Sequence, residues 1–300
     1  MSLIDFIKKS ISNICAKYIE GTLDEEKEIL PIFYVAGSQT LPPPLTAEEE
    51  EETIKRLQSQ DLLNDEKFAK SYINDKLYLT NYGLTKIKNE LETENNKINI
   101  TIYPMDLNIK ENCYKLYENE KNIDVLINNA GFGLFGEFTK TDLEKEITMI
   151  NTNITAVQIL TKLYLKDMKA KNSGKILNVA SIAGFMPGPL MTTYYSTKNY
   201  VVRFSESIRE ELRRKKSKVQ ISILCPGPVD TNFNKVADVE FALKGLSSEY
   251  VAKYAINKFF KGKFYIVPGW KIKLARIGAK LAPASFVAKI SYNMQKRKIR

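Results

Sequence analysis

Residues 175–198 read KILNVASIAGFMPGPLMTTYYSTK. An apolar run, Lys175-Ile-Leu-Asn-Val-Ala180, stops at Ser181. A turn rich in glycine and proline then leads into a segment carrying Tyr194 and Lys198 four positions apart. Strand, polar residue, turn and helix in this order form one unit of a parallel α/β sheet, and such sheets place reactive groups just past the carboxyl ends of their strands. Residues four apart on a helix share a face, so the Lys198 ammonium can stabilise a phenolate at Tyr194 and lower its pKa from about 10. The tyrosine then serves as general acid or base for a carbonyl or alcohol, and the Ser181 hydroxyl can bond the same substrate oxygen.

The pair alone carries little information. Six Tyr-x-x-x-Lys pairs occur: Tyr72/Lys76, Tyr82/Lys86, Tyr117/Lys121, Tyr194/Lys198, Tyr254/Lys258 and Tyr292/Lys296. Five read as ordinary helix-surface pairs, and Tyr194/Lys198 stands apart through Ser181 thirteen residues upstream. On either side, β-branched runs at Ile98–Tyr103, Val125–Ile127, Ile176–Val179, Val219–Leu224 and Phe264–Val267 alternate with helix-length amphipathic stretches. That alternation predicts βαβ units and a mainly parallel sheet.

Further residues fall in order around this core. Asn128-Asn129-Ala130-Gly131 follows the strand Ile123–Ile127, Asn153 sits in Asn-Thr-Asn-Ile-Thr, and Pro226-Gly227-Pro228-Val229-Asp230-Thr231 follows the strand at 219–224. With Ser181, Tyr194 and Lys198 they make residues 96–300 resemble a short-chain dehydrogenase/reductase. The resemblance implies that Ser181, Tyr194, Lys198 and Asn153 are catalytic, Asn153 holding a water that links the lysine to solvent. It implies that Lys198 also holds the nicotinamide ribose of NAD or NADP, with Tyr194 beside it. It places Asn129, Ala130 and Gly131 beside the cofactor, Asp106 at the adenine, and Pro226, Gly227, Val229 and Thr231 at the nicotinamide. The substrate implied is a small-molecule carbonyl or alcohol, lined by the stretch Phe185–Thr193 and the segment after Thr231.

The family's cofactor loop, Gly-x-x-x-Gly-x-Gly after a first strand, uses glycine so that backbone can approach the pyrophosphate at a helix N-terminus. This chain has no such match, and only Gly21, Gly37 and Gly83 precede residue 120. The expected fold is therefore α/β: a Rossmann-like three-layer parallel sheet lacking its usual first two strands, preceded by a mostly helical N-terminal segment. Two other readings stay open. Ile32–Gly37 could act as a surrogate first strand with Gly37-Ser38 as a poor phosphate loop, and Gly131-Phe-Gly133-Leu-Phe-Gly136 has the spacing of a dinucleotide fingerprint.

The N-terminal third reads differently. Residues 1–58 hold an amphipathic start, a short apolar run, Pro42-Pro43-Pro44 and the acidic run Glu48–Glu52, with Thr46 as candidate N-cap. Residues 59–95 have the periodicity of a helical hairpin broken at Gly83. The stretch 35–57 looks like the N-terminus of a sigma-K-type sporulation sigma factor, and 61–92 like a helical repeat of the recombination regulator RecX.

Composition narrows the chemistry further. The 300 residues contain no histidine, which removes serine-histidine hydrolysis, histidine zinc sites and phosphohistidine chemistry. Cys15, Cys113 and Cys225 are too far apart for a Cys-x-x-Cys pair and suit a reducing cytoplasm. No metal site is expected, and neither a signal peptide nor a membrane span is legible. The eleven positive charges of Lys261–Arg300, which contains no acid, exceed the whole chain's +10 by one, so the first 260 residues carry −1.

Within residues 270–300, Ile272, Leu274, Ile277 and Leu281 alternate with Lys271, Lys273, Arg276 and Lys280. Such a helix can lie on an anionic membrane surface, leaving the protein cytoplasmic but peripheral. It can equally pack on the dehydrogenase domain or a second copy with its lysines solvated. Nucleic acid is the weakest partner, since no base-stacking platform accompanies the charge. The family resemblance also suggests a homo-oligomer through the helix Tyr194–Arg213. The function expected is NAD(P)-dependent hydride transfer, impaired if the missing loop is needed. The alternatives are an inactive scaffold derived from a dehydrogenase, or a binding protein of recombination or transcription.

Overall fold

The computed structural model describes residues 32–35, 101, 103, 105–230 and 245–296, the first of these as a backbone strand. The chain divides into two compact units, and every element below belongs to the one that includes residues 22–39 and 105–300. The second unit is represented among the described residues by Thr101 and Tyr103. The amphipathic start, the proline and glutamate runs and the helical hairpin all lie outside the described residues.

The elements run β1 (Ile32–Val35), α1 (Lys110–Asn119), β2 (Val125–Asn128), α2 (Leu143–Ile150), a π-helical turn (Asn151–Ala156), α3 (Val157–Ala170), β3 (Lys175–Val179), a 3-10 turn (Ile182–Phe185) and α4 (Thr192–Arg214). They continue with β4 (Gln220–Leu224), β5 (Val229–Asp230), β6 (Leu246–Ser247), α5 (Ser248–Phe260), β7 (Tyr265–Ile266), α6 (Trp270–Leu281) and α7 (Ala284–Lys296). The main sheet is parallel throughout, in the order β1-β2-β3-β4-β7, and β5 and β6 form a separate parallel pair.

The surrogate-strand reading of Ile32–Gly37 holds for residues 32–35. They pair with β2 from Ile32 opposite Val125 to Val35 opposite Asn128, so this edge of the sheet is filled by a sequence with no glycine loop after it. The strand expected at 98–103 is corrected where it can be seen, since neither Thr101 nor Tyr103 lies in a strand. Pro104 follows directly and has no N–H to give to a ladder.

Central strands of a parallel sheet are covered on both faces, which is why β2 reads as an unbroken apolar run closing on asparagine and is buried along its whole length. Alternation along the strands sorts the two faces. Val125, Ile127, Leu177, Leu224 and Ile266 form one core with Val251, Ala255 and Phe259 of α5. On the opposite face Asn128 and Asn178, which are register partners, bond to each other and outward to α3 and α4. Helices thus cover both faces, giving three layers. The Asp142 carboxylate caps α2 by accepting from the Lys145 N–H at 2.8 Å, and Ser247 caps α5.

Candidate active site

The site is built where β2, β3 and β4 end. Ser181 leaves β3 in an extended conformation and caps the 3-10 turn, its Oγ accepting from the Ala183 N–H at 3.2 Å. The Asn199 side chain, on α4, donates to the carbonyls of Ala183 and Met186 at 3.0 and 3.1 Å, tying that turn to the helix. Tyr194 projects from the first turn of α4 and is hydrogen-bonded to the Ser181 hydroxyl. The structure therefore brings together the serine and tyrosine that the sequence places at this strand end.

Lys198, one turn further along α4, is buried. Its Nζ donates to the Val179 carbonyl at 3.1 Å and lies 5.9 Å from the centroid of the Tyr194 ring. Burial lowers its ammonium from the ordinary lysine range to about 8, because a low-dielectric surround penalises charge. Burial pushes the Tyr194 hydroxyl above the usual phenol range, and the bond from Ser181 works against that. In this arrangement Tyr194 carries its proton at neutral pH.

Asn153 lies in the π-helical turn between α2 and α3 and is fully buried. Its Oδ1 accepts from the Phe132 N–H at 3.1 Å, and its Nδ2 donates to the Phe132 carbonyl at 2.9 Å and to Thr197 Oγ1 at 3.0 Å. Both amide hydrogens are thereby committed to protein. The Thr197 hydroxyl donates in turn to the Tyr194 carbonyl at 2.7 Å. Asn153 thus links the loop after β2 to the turn of α4 that holds Tyr194 and Lys198. π-turns recur at functional sites because they displace one turn of helix from its neighbours.

Gly131 completes this cluster by close approach. A Cβ there would stand 2.7 Å from Asn153 Oδ1 and 3.3 Å from Lys198 Nζ. Ala130 is buried and Asn129 half-buried at the end of β2. The Pro226 carbonyl accepts from the Ile182 N–H at 2.9 Å, joining the turn after β4 to the one after β3. Val229 lies in β5 opposite Leu246. Asp106 stands apart from the cluster, exposed in the turn before α1 with Oδ1 accepting from the Asn108 N–H at 2.9 Å. Thr231 and the segment after it lie outside the described residues.

The wall beside Tyr194 is apolar, with Met191 buried against Phe135, Tyr194 and Tyr195. Leu190 holds φ at 66°, an outlier for a bulky residue, and its carbonyl accepts from the Gly136 N–H at 2.8 Å. Strain of this kind tends to collect at functional sites. Cys225 is buried beside this region, and burial pushes its thiol up so that it stays protonated.

The sequence reading missed the contribution of the C-terminal helices. Ile272 of α6 covers Gly227, where an added Cβ would meet its Cδ1 at 2.5 Å. The Arg276 guanidinium lies 4.1 Å from the Tyr265 ring centroid and 5.5 Å from that of Phe185. Gln295 of α7 donates from Nε2 to the Tyr195 hydroxyl at 2.7 Å.

The residues present fit the nicotinamide end of a dinucleotide. Lys198 has three ammonium hydrogens and commits one to Val179, leaving donor capacity for a ribose diol beside Tyr194. For the pyrophosphate end the chain carries no glycine-rich loop of the family's spacing.

The chain is similar to known proteins in sequence and in fold. The family profile described as short chain dehydrogenase matches residues 74–240. Ketoacyl reductase HetN of Nostoc sp. is 35% identical over 143 residues, 47% of this chain and 49% of that protein. Very-long-chain 3-oxoacyl-CoA reductase-A of Danio rerio is 36% identical over 183 residues, 58% of this chain and 54% of that protein. The chain spans about half the length, or less, of the first curated relatives it matches. In fold it is similar to a short-chain dehydrogenase from Sphingobium yanoikuyae solved in complex with NADPH, at a TM-score of 0.58 and 22% identity over 65% of this chain and 80% of that one.

Proposed function

The chain belongs to the short-chain dehydrogenase family, and from that membership we propose that it is an NAD(P)-dependent oxidoreductase acting on a carbonyl or secondary alcohol of a small molecule. The observation that carries the proposal is the hydrogen bond between Tyr194 and Ser181 at the end of β3, with the Lys198 ammonium buried one helical turn away. A bound nicotinamide supplies or accepts the hydride. Everything else falls to the side chains.

In the direction of reduction the substrate oxygen sits between Ser181 and Tyr194. The Ser181 hydroxyl fixes it, and Tyr194, protonated because burial holds its pKa high, gives up its proton as negative charge builds on that oxygen. Lys198 then faces the phenolate left behind, which its ammonium stabilises, and its remaining hydrogens are suited to the nicotinamide ribose. Asn153 acts as a positioning residue, since Phe132 and Thr197 occupy its amide. Asn129, Ala130, Gly131, Pro226, Gly227, Val229 and Thr231 are proposed to line the cofactor, and Asp106 to meet its adenine. The apolar wall of Met191, Phe135 and Tyr195 favours a substrate with hydrocarbon beside its carbonyl.

Titration of the whole chain with NADPH and NADH, read by nicotinamide fluorescence, tests the proposal. Binding in the micromolar range supports it and identifies the preferred cofactor. Failure to bind either at millimolar concentration overturns it in favour of a catalytically silent scaffold.

A further inference from the structure

Helix α6 has two opposed faces, and among the described residues one of them packs on the domain. Ile272, Arg276 and Ala279 are its half-buried positions, and the first two meet Gly227, Phe185 and Tyr265. At about 100° per residue, Trp270, Leu274, Ile277 and Leu281 fall within an arc of about 60° on the far side. Those four are 67%, 58%, 51% and 80% exposed. The stripe faces outward because the inner face is anchored. The two roles that the sequence leaves as alternatives, packing on the domain and presenting an apolar face, are carried by the same helix at once.

Lysines border the stripe on both sides, Lys271 on one and Lys273 and Lys280 on the other, all exposed. No acid occurs from Lys261 to Arg300. Phe286, Ile290 and Met294 of α7 are likewise exposed on one side of that helix, whose buried positions are Val287, Ser291 and Gln295. Among the described residues no helix is long and apolar enough to cross a membrane. A 12-residue amphipathic helix about 18 Å long has the proportions of one that lies flat.

We propose that the outer face of α6 docks on an anionic phospholipid surface, with Trp270, Leu274, Ile277 and Leu281 entering the interface and Lys271, Lys273 and Lys280 meeting the headgroups. A second copy of the chain is a poorer occupant, because pairing two such faces brings like-charged lysines together. Nucleic acid offers nothing to the apolar stripe. The docking is independent of catalysis, so its test needs no turnover.

Trp270 is the only tryptophan in the chain, so its emission reports on this face directly. The full-length protein is titrated with vesicles of phosphatidylcholine alone and of phosphatidylcholine containing one third phosphatidylglycerol. The expected result is a blue shift with the anionic vesicles at an apparent affinity about 100-fold tighter than for the neutral ones, as three lysines near such a surface imply. Leu274→Glu/Ile277→Glu, which alters only outward side chains, abolishes the shift while the far-ultraviolet circular dichroism is retained. Lys271→Gln/Lys273→Gln/Lys280→Gln brings the two affinities to within about threefold. No shift with anionic vesicles, or equal affinity for both compositions, overturns the proposal. So does a blue shift that grows with protein concentration in the absence of lipid, which would assign the face to a second copy.

Discussion

Asn153 and Phe132 exchange two hydrogen bonds, Nδ2 to the Phe132 carbonyl at 2.9 Å and the Phe132 N–H to Oδ1 at 3.1 Å, so a side-chain amide grips a loop as a strand neighbour would. The same amide reaches Thr197 on α4. Asn153→Ala leaves the Phe132 N–H and carbonyl without these partners and is expected to cost about 1–3 kcal/mol, the usual penalty for stranded buried groups. Asn153→Asp keeps the acceptor but sets a carboxylate oxygen against the Phe132 carbonyl, and is expected to cost at least as much. Urea denaturation measures both. A full loss of turnover in Asn153→Ala with unchanged stability would contradict the positioning role and favour a direct one.

Tyr194→Phe removes the transferable proton and leaves the ring in place against Met191 and Tyr195. Turnover is expected to fall by about 10²–10⁴-fold, the range for a general acid, with the cofactor dissociation constant and the melting temperature little changed. Ser181→Ala should lower turnover less, since it removes one partner of the substrate oxygen and the cap of a short 3-10 turn. Steady-state kinetics on a panel of ketones measures both variants. Equal turnover in Tyr194→Phe and the parent would assign the proton to another group.

The strands were legible because a parallel sheet buried on both faces demands unbroken apolar runs, as at Val125–Asn128 and Ile176–Val179. Ser181, Tyr194 and Lys198 were legible because a strand end and one helical turn fix their spacing locally. The π-helical turn at Asn151–Ala156 was not, since Asn, Thr and Ile there only signal a weak helix, and its shape is held by Phe132 and Thr197, distant in sequence. The same reason hid Ile272 over Gly227 and Gln295 on Tyr195, pairs separated by 45 and 100 positions. The apolar run at 32–35 was readable as a strand, but its place beside β2 depends on register, which a four-residue pattern does not encode.

Asn178 sits at the centre of a buried polar chain. It accepts from Asn128 Nδ2 at 2.8 Å and donates to Ser205 Oγ at 2.9 Å, while Asn128 also donates to Thr161 at 3.0 Å. Asn178→Ala breaks both of its bonds, opens a small void between β3 and α4, and is expected to destabilise the fold by about 1–3 kcal/mol. The midpoint of urea unfolding should fall with its slope unchanged. A shift smaller than about 0.5 kcal/mol would mean that water or a rotated neighbour replaces the lost partners.

Lys198 joins activity to instability. Its ammonium titrates at about 8 in the fold because burial penalises the charge, against about 10.4 in an unfolded chain. Between those values the unfolded chain binds more protons, so this residue makes stability rise with pH across that window. Below pH 8 both states are charged and the fold bears the whole penalty; above about 10.4 both are neutral and none remains. Lys198→Met removes the charge and also the bond to the Val179 carbonyl. It is therefore expected to stabilise the protein by about 1–2 kcal/mol at neutral pH, the burial penalty less one hydrogen bond. That gain should hold from pH 6 to about 7, shrink as the parent's ammonium titrates at about 8, and give way by about pH 10.4 to a loss of about 1 kcal/mol, the missing Val179 bond, while activity is lost throughout. Paired urea melts of parent and variant across this pH range measure the difference with other titrating groups cancelled. A variant less stable than the parent at pH 7 would mean that the Val179 bond outweighs the cost of burying the ammonium.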